Sequence, residues 1–151
     1  MADIVSKKKR SEMMSGIQGK DTKPELKIRS ALHKLGFRYK LYDKSLPGKP
    51  DLVFPKYNAV IIIHGCFWHL HKCHLFKWPS TRPEFWREKI IGNKKRDEIN
   101  LHALKEMDWR ILIVWECALK GKNKLDFGST IKSISDWLKS SNQYAEITGT
   151  K

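Results

Sequence analysis

Long apolar runs are missing from this sequence. The longest, Ala59–Ile63 and Ile111–Trp115, fall far short of the roughly 20 residues a bilayer-spanning helix needs. No apolar core follows the basic run Lys7, Lys8, Lys9 and Arg10, so neither a membrane span nor an export signal is expected. Cysteine is scarce and odd in number, at 3, which argues against a disulfide framework and for a reducing, cytoplasmic setting. Acidic residues are outnumbered, 16 against 30 Lys and Arg, leaving a formal charge of +14. An excess of that size favours a polyanion as partner, and nucleic acid before an anionic membrane, because no stretch joins an apolar face to a basic one. Internal repeats and low-complexity blocks are absent too. What is present is 151 residues, enough for one core and too few for two ordinary domains.

Three segments are expected: a basic stretch over 1–20, one domain over 21–139 and a mobile tail over 140–151. In the first, Met13, Met14 and Ile17 are spaced to give a short helix a small apolar stripe. Thr22-Lys23-Pro24-Glu25 reads as a helix start with Thr22 as N-cap and Glu25 closing a capping box. Ile28, Leu32 and Leu35 share a face of that helix, and Gly36 stops it. Strand-like runs follow at Phe37–Tyr42 and Asp51–Phe54, separated by Pro47-Gly48. Ala59–Ile63 and Arg110–Trp115 read as strands buried on both faces. Pro83–Met107 is a charged helical region with Gly92 as its break, and Ile131, Ile134 and Leu138 mark a last amphipathic helix. The order implies an α/β protein with a mixed central sheet flanked by helices.

Between Cys66 and Pro79 the composition turns to Cys, His and aromatic residues without a helical or strand period. Cys66, His71 and Cys73 are close enough for one loop to wrap a tetrahedral ion, and thiolates with an imidazole suit zinc. Cys117, the remaining cysteine, follows a strand whose end can reach the loop. Three Cys and one His close the site, which makes it structural. His74 is the competing imidazole, and free thiols in a core are the alternative.

Asp51 opens one strand and His64 closes another, so a hairpin between them brings both to one end of the sheet. A carboxylate there can hold magnesium, and an imidazole beside it can serve as acid or base in phosphodiester hydrolysis. Phe67 and Trp68 sit on the same loop, where large rings are poorly placed for a core and well placed to wedge into a base stack; Trp86 can join them. Lys89, Asn93, Lys94, Lys95 and Arg96 are candidate phosphate contacts.

The strings Pro50-Asp51 and Ile63-His64-Gly65-Cys66-Phe67-Trp68-His69, with His71 and Cys73, resemble the very short patch repair endonucleases, bacterial T:G mismatch nickases. So do Ser45–Gly48, Thr81-Arg82, Glu84-Phe85-Trp86 and Ile113–Leu119. The resemblance implies a restriction-endonuclease-like core with an inserted structural zinc loop, held by Cys66, His71, Cys73 and Cys117. It implies a magnesium ion on Asp51 and the main-chain carbonyl of Ile63, where the family has a threonine. It makes His69 act on the nucleophilic water, oriented by Glu25, and puts His64 on the phosphate side, supported by Asp97. Phe67, Trp68 and Trp86 become an intercalating wedge, while Met14 and Ile17 belong to an N-terminal segment gripping DNA from the minor groove. The expected partner is duplex DNA with a T:G mispair, cut by a monomer at the nucleoid, with mismatch-repair proteins as a family expectation. A non-catalytic zinc protein on bent or mismatched DNA, or a related nuclease with another lesion or sequence preference, is the rival reading.

Overall fold

The computed structural model describes residues 22–150; the expected DNA-gripping segment 1–20, with Met14 and Ile17, lies outside them. Helix α1 (Lys23–Lys34) starts after an extended Thr22, with Pro24 in its first turn. Thr22 makes no side-chain cap, so the expected capping box does not form. Its partner Glu25 is instead buried, at 5% exposure, together with Ile28 and Leu32. Leu35 falls past the last turn as the C-cap and is exposed, so it does not extend the apolar face. Gly36 then turns the chain at φ 98°, a region open to glycine at no steric cost.

Only Lys40–Leu41 of the expected run Phe37–Tyr42 pairs, as β1. Strand β2 (Leu52–Phe54) is joined to β3 (Ala59–His64) through a 3₁₀ turn at Pro55–Tyr57 and a left-handed Asn58. Helix α2 (Pro83–Glu106) leads to β4 (Arg110–Trp115), and α3 (Phe127–Lys139) to β5 (Tyr144–Ile147). The five strands lie side by side in chain order. The first two pairings are antiparallel and the last two parallel, so the sheet is mixed and helices link its parallel strands.

Alternation along β3 and β4 separates two cores. Ile61, Leu112 and Val114 face Ile28 and Leu32 of α1 and Ile131, Ile134, Trp137 and Leu138 of α3. Val60, Ile111, Ile113 and Trp115 face Leu104 of α2 and the cysteines Cys66 and Cys117. Each Leu or Ile removed from water contributes roughly 1.5–3 kcal/mol, and β4 is buried at all 6 positions because both faces are covered.

Two expectations are corrected. Gly92 does not break α2, which runs unbroken for 24 residues; one interior glycine costs about 1 kcal/mol against Ala, and Ile90 and Leu104, both fully buried, anchor the helix on either side of it. The described part of the expected mobile tail, 140–150, is not loose, since Tyr144–Ile147 pairs in parallel with Ile111–Val114 as β5. Its entry is fixed by Arg110, whose guanidinium donates to the carbonyls of Trp137, Leu138 and Asn142. That buried cation satisfies the open C-terminus of α3. Among the described residues no helix is long and apolar enough to cross a membrane.

Candidate active site and metal centre

Because β2 runs against β3 while β4 runs with it, the start of β2 and the ends of β3 and β4 meet at one edge. That edge carries Asp51, His64 and Trp115, at the carboxyl ends of the parallel strands, where α/β proteins hold their ligands. The first turn of α1 adds Glu25, and α2 adds Lys89, Asn93 and Asp97. Together with His69 they line a cleft of about 1450 Å³ whose walls also carry Lys23, Lys27, Lys49, Lys120 and Lys124. The cleft thus sets lysines beside the acids and imidazoles.

His69 Nδ1 lies 2.5 Å from Asp97 Oδ2. The ring of His64 stacks on that of His69 at 3.8 Å and 5°. His64 is 6% exposed, and its Nδ1 has no hydrogen-bond partner among the described residues. Burial first, then the neighbouring His69, lowers its pKa to about 3, so the ring is neutral at any physiological pH. Asp97, not the expected Glu25, is the carboxylate that holds His69, and the expected company of Asp97 and His64 is kept, since ligand atoms of His64, His69 and Asp97 all lie within 4.8 Å of one another. Asn93 Nδ2 donates to the Trp68 carbonyl at 3.1 Å, and Asp97 stands one turn further along α2. Docking Trp68 on Asn93 therefore delivers the next residue, His69, to Asp97.

Glu25 faces Asp51 instead. The two carboxyls share a hydrogen bond, and the Tyr42 hydroxyl donates to Glu25. Asp51 Oδ2 accepts from the Ile63 amide at 2.7 Å. The Asp51 pKa is pushed up to about 7, mainly by burial, with the Glu25 charge adding and the Ile63 amide opposing. Two carboxyls held together in this way lack positive charge, and their oxygens fit a hard divalent cation. Ile63 lies beyond the last paired residues of the β2–β3 ladder, which leaves its amide free to reach Asp51.

On the other side of His64, one ligand atom each from Cys66, His71, Cys73 and Cys117 lies within 4.8 Å of the others. His71 Nδ1 is 3.4 Å from Cys66 Sγ and 3.6 Å from Cys117 Sγ. A tetrahedral ion with ordinary zinc–sulfur and zinc–nitrogen bonds sets such edges at about 3.6 Å, so the donor set fits. Burial holds His71 below its usual pKa, with Glu146 pulling the other way; the neutral ring is the ligating form. Burial raises the Cys66 thiol, a cost that a bound cation removes. His74 stays outside: it is exposed and lies 3.2 Å from Asn123.

Phe67, Trp68 and Trp86 meet at centroid distances of 5.1, 5.5 and 5.9 Å, half-buried beside the metal loop. Phe67 and Trp68 reach the cleft with Lys89 and Asn93. Arg96 does not line it; the exposed guanidinium hydrogen-bonds Asn93. Lys94 and Lys95 are exposed and also lie off the cleft wall. Two site residues escaped the sequence reading. Tyr42 looked like a strand end, and Trp115 looked like core, yet its ring stacks on His71 at 4.0 Å and meets His64 edge-on at 5.0 Å. An aromatic directly before Glu116-Cys117 was the available signal.

An imidazole backed by a carboxylate and opening onto a lysine-rimmed cleft is what a hydrolase of polyanions requires. Comparison with known proteins narrows that class. A model of the family described as DNA mismatch endonuclease Vsr matches residues 2–75. The DNA mismatch endonuclease Vsr of Escherichia coli is 45% identical over 147 residues, 97% of this chain and 94% of that protein. The type II nicking enzyme V.XorIIP of Xanthomonas oryzae is 40% identical over 90% of this chain and 98% of its own length. V.NmeAIP of Neisseria meningitidis, also a type II nicking enzyme, is 45% identical over 81% and 87%. The chain belongs to the Vsr endonuclease family.

Proposed function

We propose that this endonuclease nicks the thymine strand on the 5′ side of a T:G mispair, the product of 5-methylcytosine deamination, by magnesium-dependent phosphodiester hydrolysis on a restriction-endonuclease-like core. The observation that carries the reading is the 2.5 Å His69–Asp97 contact beside a neutral His64, at a cleft edged with lysines. With its Nδ1–H donating to Asp97, His69 keeps a lone pair on Nε2 that can take a proton from water. His64 stays uncharged and offers a neutral polar surface to the phosphate. Asp51 and the Ile63 carbonyl would hold magnesium, which when bound would supply positive charge beside the scissile phosphate and acidify a nearby water. Glu25 holds Asp51 in place.

Cys66, His71, Cys73 and Cys117 would hold a structural zinc, which would keep the loop rigid so that Phe67, Trp68 and His69 move as one body. The rings of Phe67, Trp68 and Trp86 enter the base stack, where unstacking costs a few kcal/mol and least at a mispair. Met14 and Ile17 grip DNA from the minor-groove side, and Lys89, Asn93 and Arg96 hold phosphates. The enzyme acts as a monomer in the cytoplasm, at the nucleoid, with mismatch-repair proteins as further partners. Support for the mispair comes from the word mismatch in the name of the Escherichia coli relative. The test is a labelled duplex with T:G set beside the same duplex with T:A and other mispairs, with and without magnesium. A magnesium-dependent cut confined to the T strand of the T:G duplex is expected. No such cut across flanking-sequence variants would sink the proposal.

A further inference from the structure

Strand β5 and the residues just after it reach the surroundings of the candidate metal centre at two points. Trp115 Nε1 donates to Glu146 Oε1 at 2.6 Å, and the Gly149 amide donates to Cys117 Sγ at 3.3 Å. Trp115 is 8% exposed and stands between the two halves of the site. Its ring lies flat on the metal-ligand candidate His71, at 4.0 Å and 8°, and presses edge-on against His64 at 5.0 Å and 69°. His64 in turn stacks on His69, which Asp97 holds. The indole is therefore the shared wall of His71 and His64. Packing confines the plane of the ring, and its one polar atom is tied to Glu146, which fixes the remaining in-plane orientation. Gly149 completes the clasp. A Cβ at Gly149 would run into the main-chain carbonyls of Cys117 and Asn123, so only glycine lets the strand approach the sulfur this closely.

We propose that Glu146 is a positioning residue: by hydrogen-bonding the Trp115 indole it sets the angle of the wall between the metal ligand His71 and the imidazoles His64 and His69. The role rests on the catalytic assignment above and adds to it a dependence on β5, a strand that supplies no metal ligand and no group of the cleft. The bond needs an acceptor and no particular charge, which separates it from a general effect of strand pairing. Glu146→Gln retains an acceptor oxygen; Glu146→Leu retains bulk and loses the acceptor.

The full-length, metal-loaded protein is tested in three ways. In proton NMR, the Trp115 indole N–H, assigned by its loss in Trp115→Phe, is expected downfield in the parent, nearly so in Glu146→Gln, and at the position of a free indole in Glu146→Leu. Loss of metal to a chromophoric chelator is expected to be several-fold faster in Glu146→Leu and near the parent rate in Glu146→Gln. Single-turnover nicking is expected to fall about 10-fold in Glu146→Leu, with DNA affinity and urea midpoint unchanged, and to be restored in Glu146→Gln. Parent-like chelation and nicking in Glu146→Leu would overturn the proposal. So would equal losses in both variants that follow a lowered urea midpoint, because strand pairing alone would then explain them. The NMR and chelation readouts stand even if the parent protein cuts no T:G duplex, so failure of the substrate assignment is visible separately.

Discussion

Replacing Asp51 with Asn is expected to stabilise the magnesium-free protein at alkaline pH while abolishing nicking. In the folded protein the Asp51 carboxyl is raised from 3.8 to about 7, chiefly by burial, with Glu25 beside it. Between those two pH values the unfolded chain has released the proton and the folded protein still binds it. Stability therefore falls as pH rises through the window and levels off above about 7. At roughly 1.4 kcal/mol per pH unit the full cost is about 4 kcal/mol; proton sharing with Glu25 and water in the open cleft reduce the expected difference to about 2 kcal/mol. Asparagine does not titrate, and its amide oxygen can still accept from Ile63, so the variant escapes the cost. Urea unfolding of both proteins at pH 4, 6 and 8, in buffer free of magnesium and of chelator, measures the effect. Midpoints should coincide at pH 4 and separate by about 1 M at pH 8 in favour of Asp51→Asn, given slopes of about 1–3 kcal/mol/M. Millimolar magnesium should raise the midpoint of the parent alone, since only a protein that binds the ion gains from it. A gap that does not change with pH, or one that favours the parent as pH rises, would refute the reasoning.

Asp97→Asn is expected to slow single-turnover nicking by about 10²–10⁴-fold with little change in DNA affinity, because an amide can hold His69 in the wrong tautomer; unchanged rates would remove Asp97 from the site. Cys73→Ser should lose the bound metal, read by elemental analysis, and lose nicking with it although Cys73 lies off the cleft; a zinc-free protein that cuts normally would break that link. Phe67→Ala should narrow the affinity difference between T:G and T:A duplexes by about 1–3 kcal/mol in a binding titration, and a uniform loss on both duplexes would show that the ring does not read the mispair.

Much of the site was legible because its chemistry is local in sequence. Cys66, His71 and Cys73 lie within one loop, and the β-branched run ending at His64 announced a buried strand with a polar tip. The hairpin argument placed Asp51 correctly, since antiparallel neighbours joined by a short turn must bring the start of one strand to the end of the other. Local capping rules misled at Glu25, which satisfies a capping box on paper and is drawn instead to Asp51 and Tyr42. They misled again in the tail, where Tyr144–Ile147 has too weak a pattern to read as a strand and is stabilised by pairing with β4.

The sequence by itself determined the charge, the metal-donor types, the two buried strands and the ring-bearing loop, because each of these rests on composition or on short-range spacing. Only the tertiary structure decided which carboxylate serves which partner. Asp97 goes to His69 because Asn93, one turn earlier on α2, docks the loop. Glu25 goes to Asp51 because the first turn of α1 closes on the same sheet edge. Glu146 reaches Trp115 because β5 lies alongside β4. Pairings between residues 28, 26 and 31 positions apart are set by how helices and strands pack, and no local periodicity encodes them.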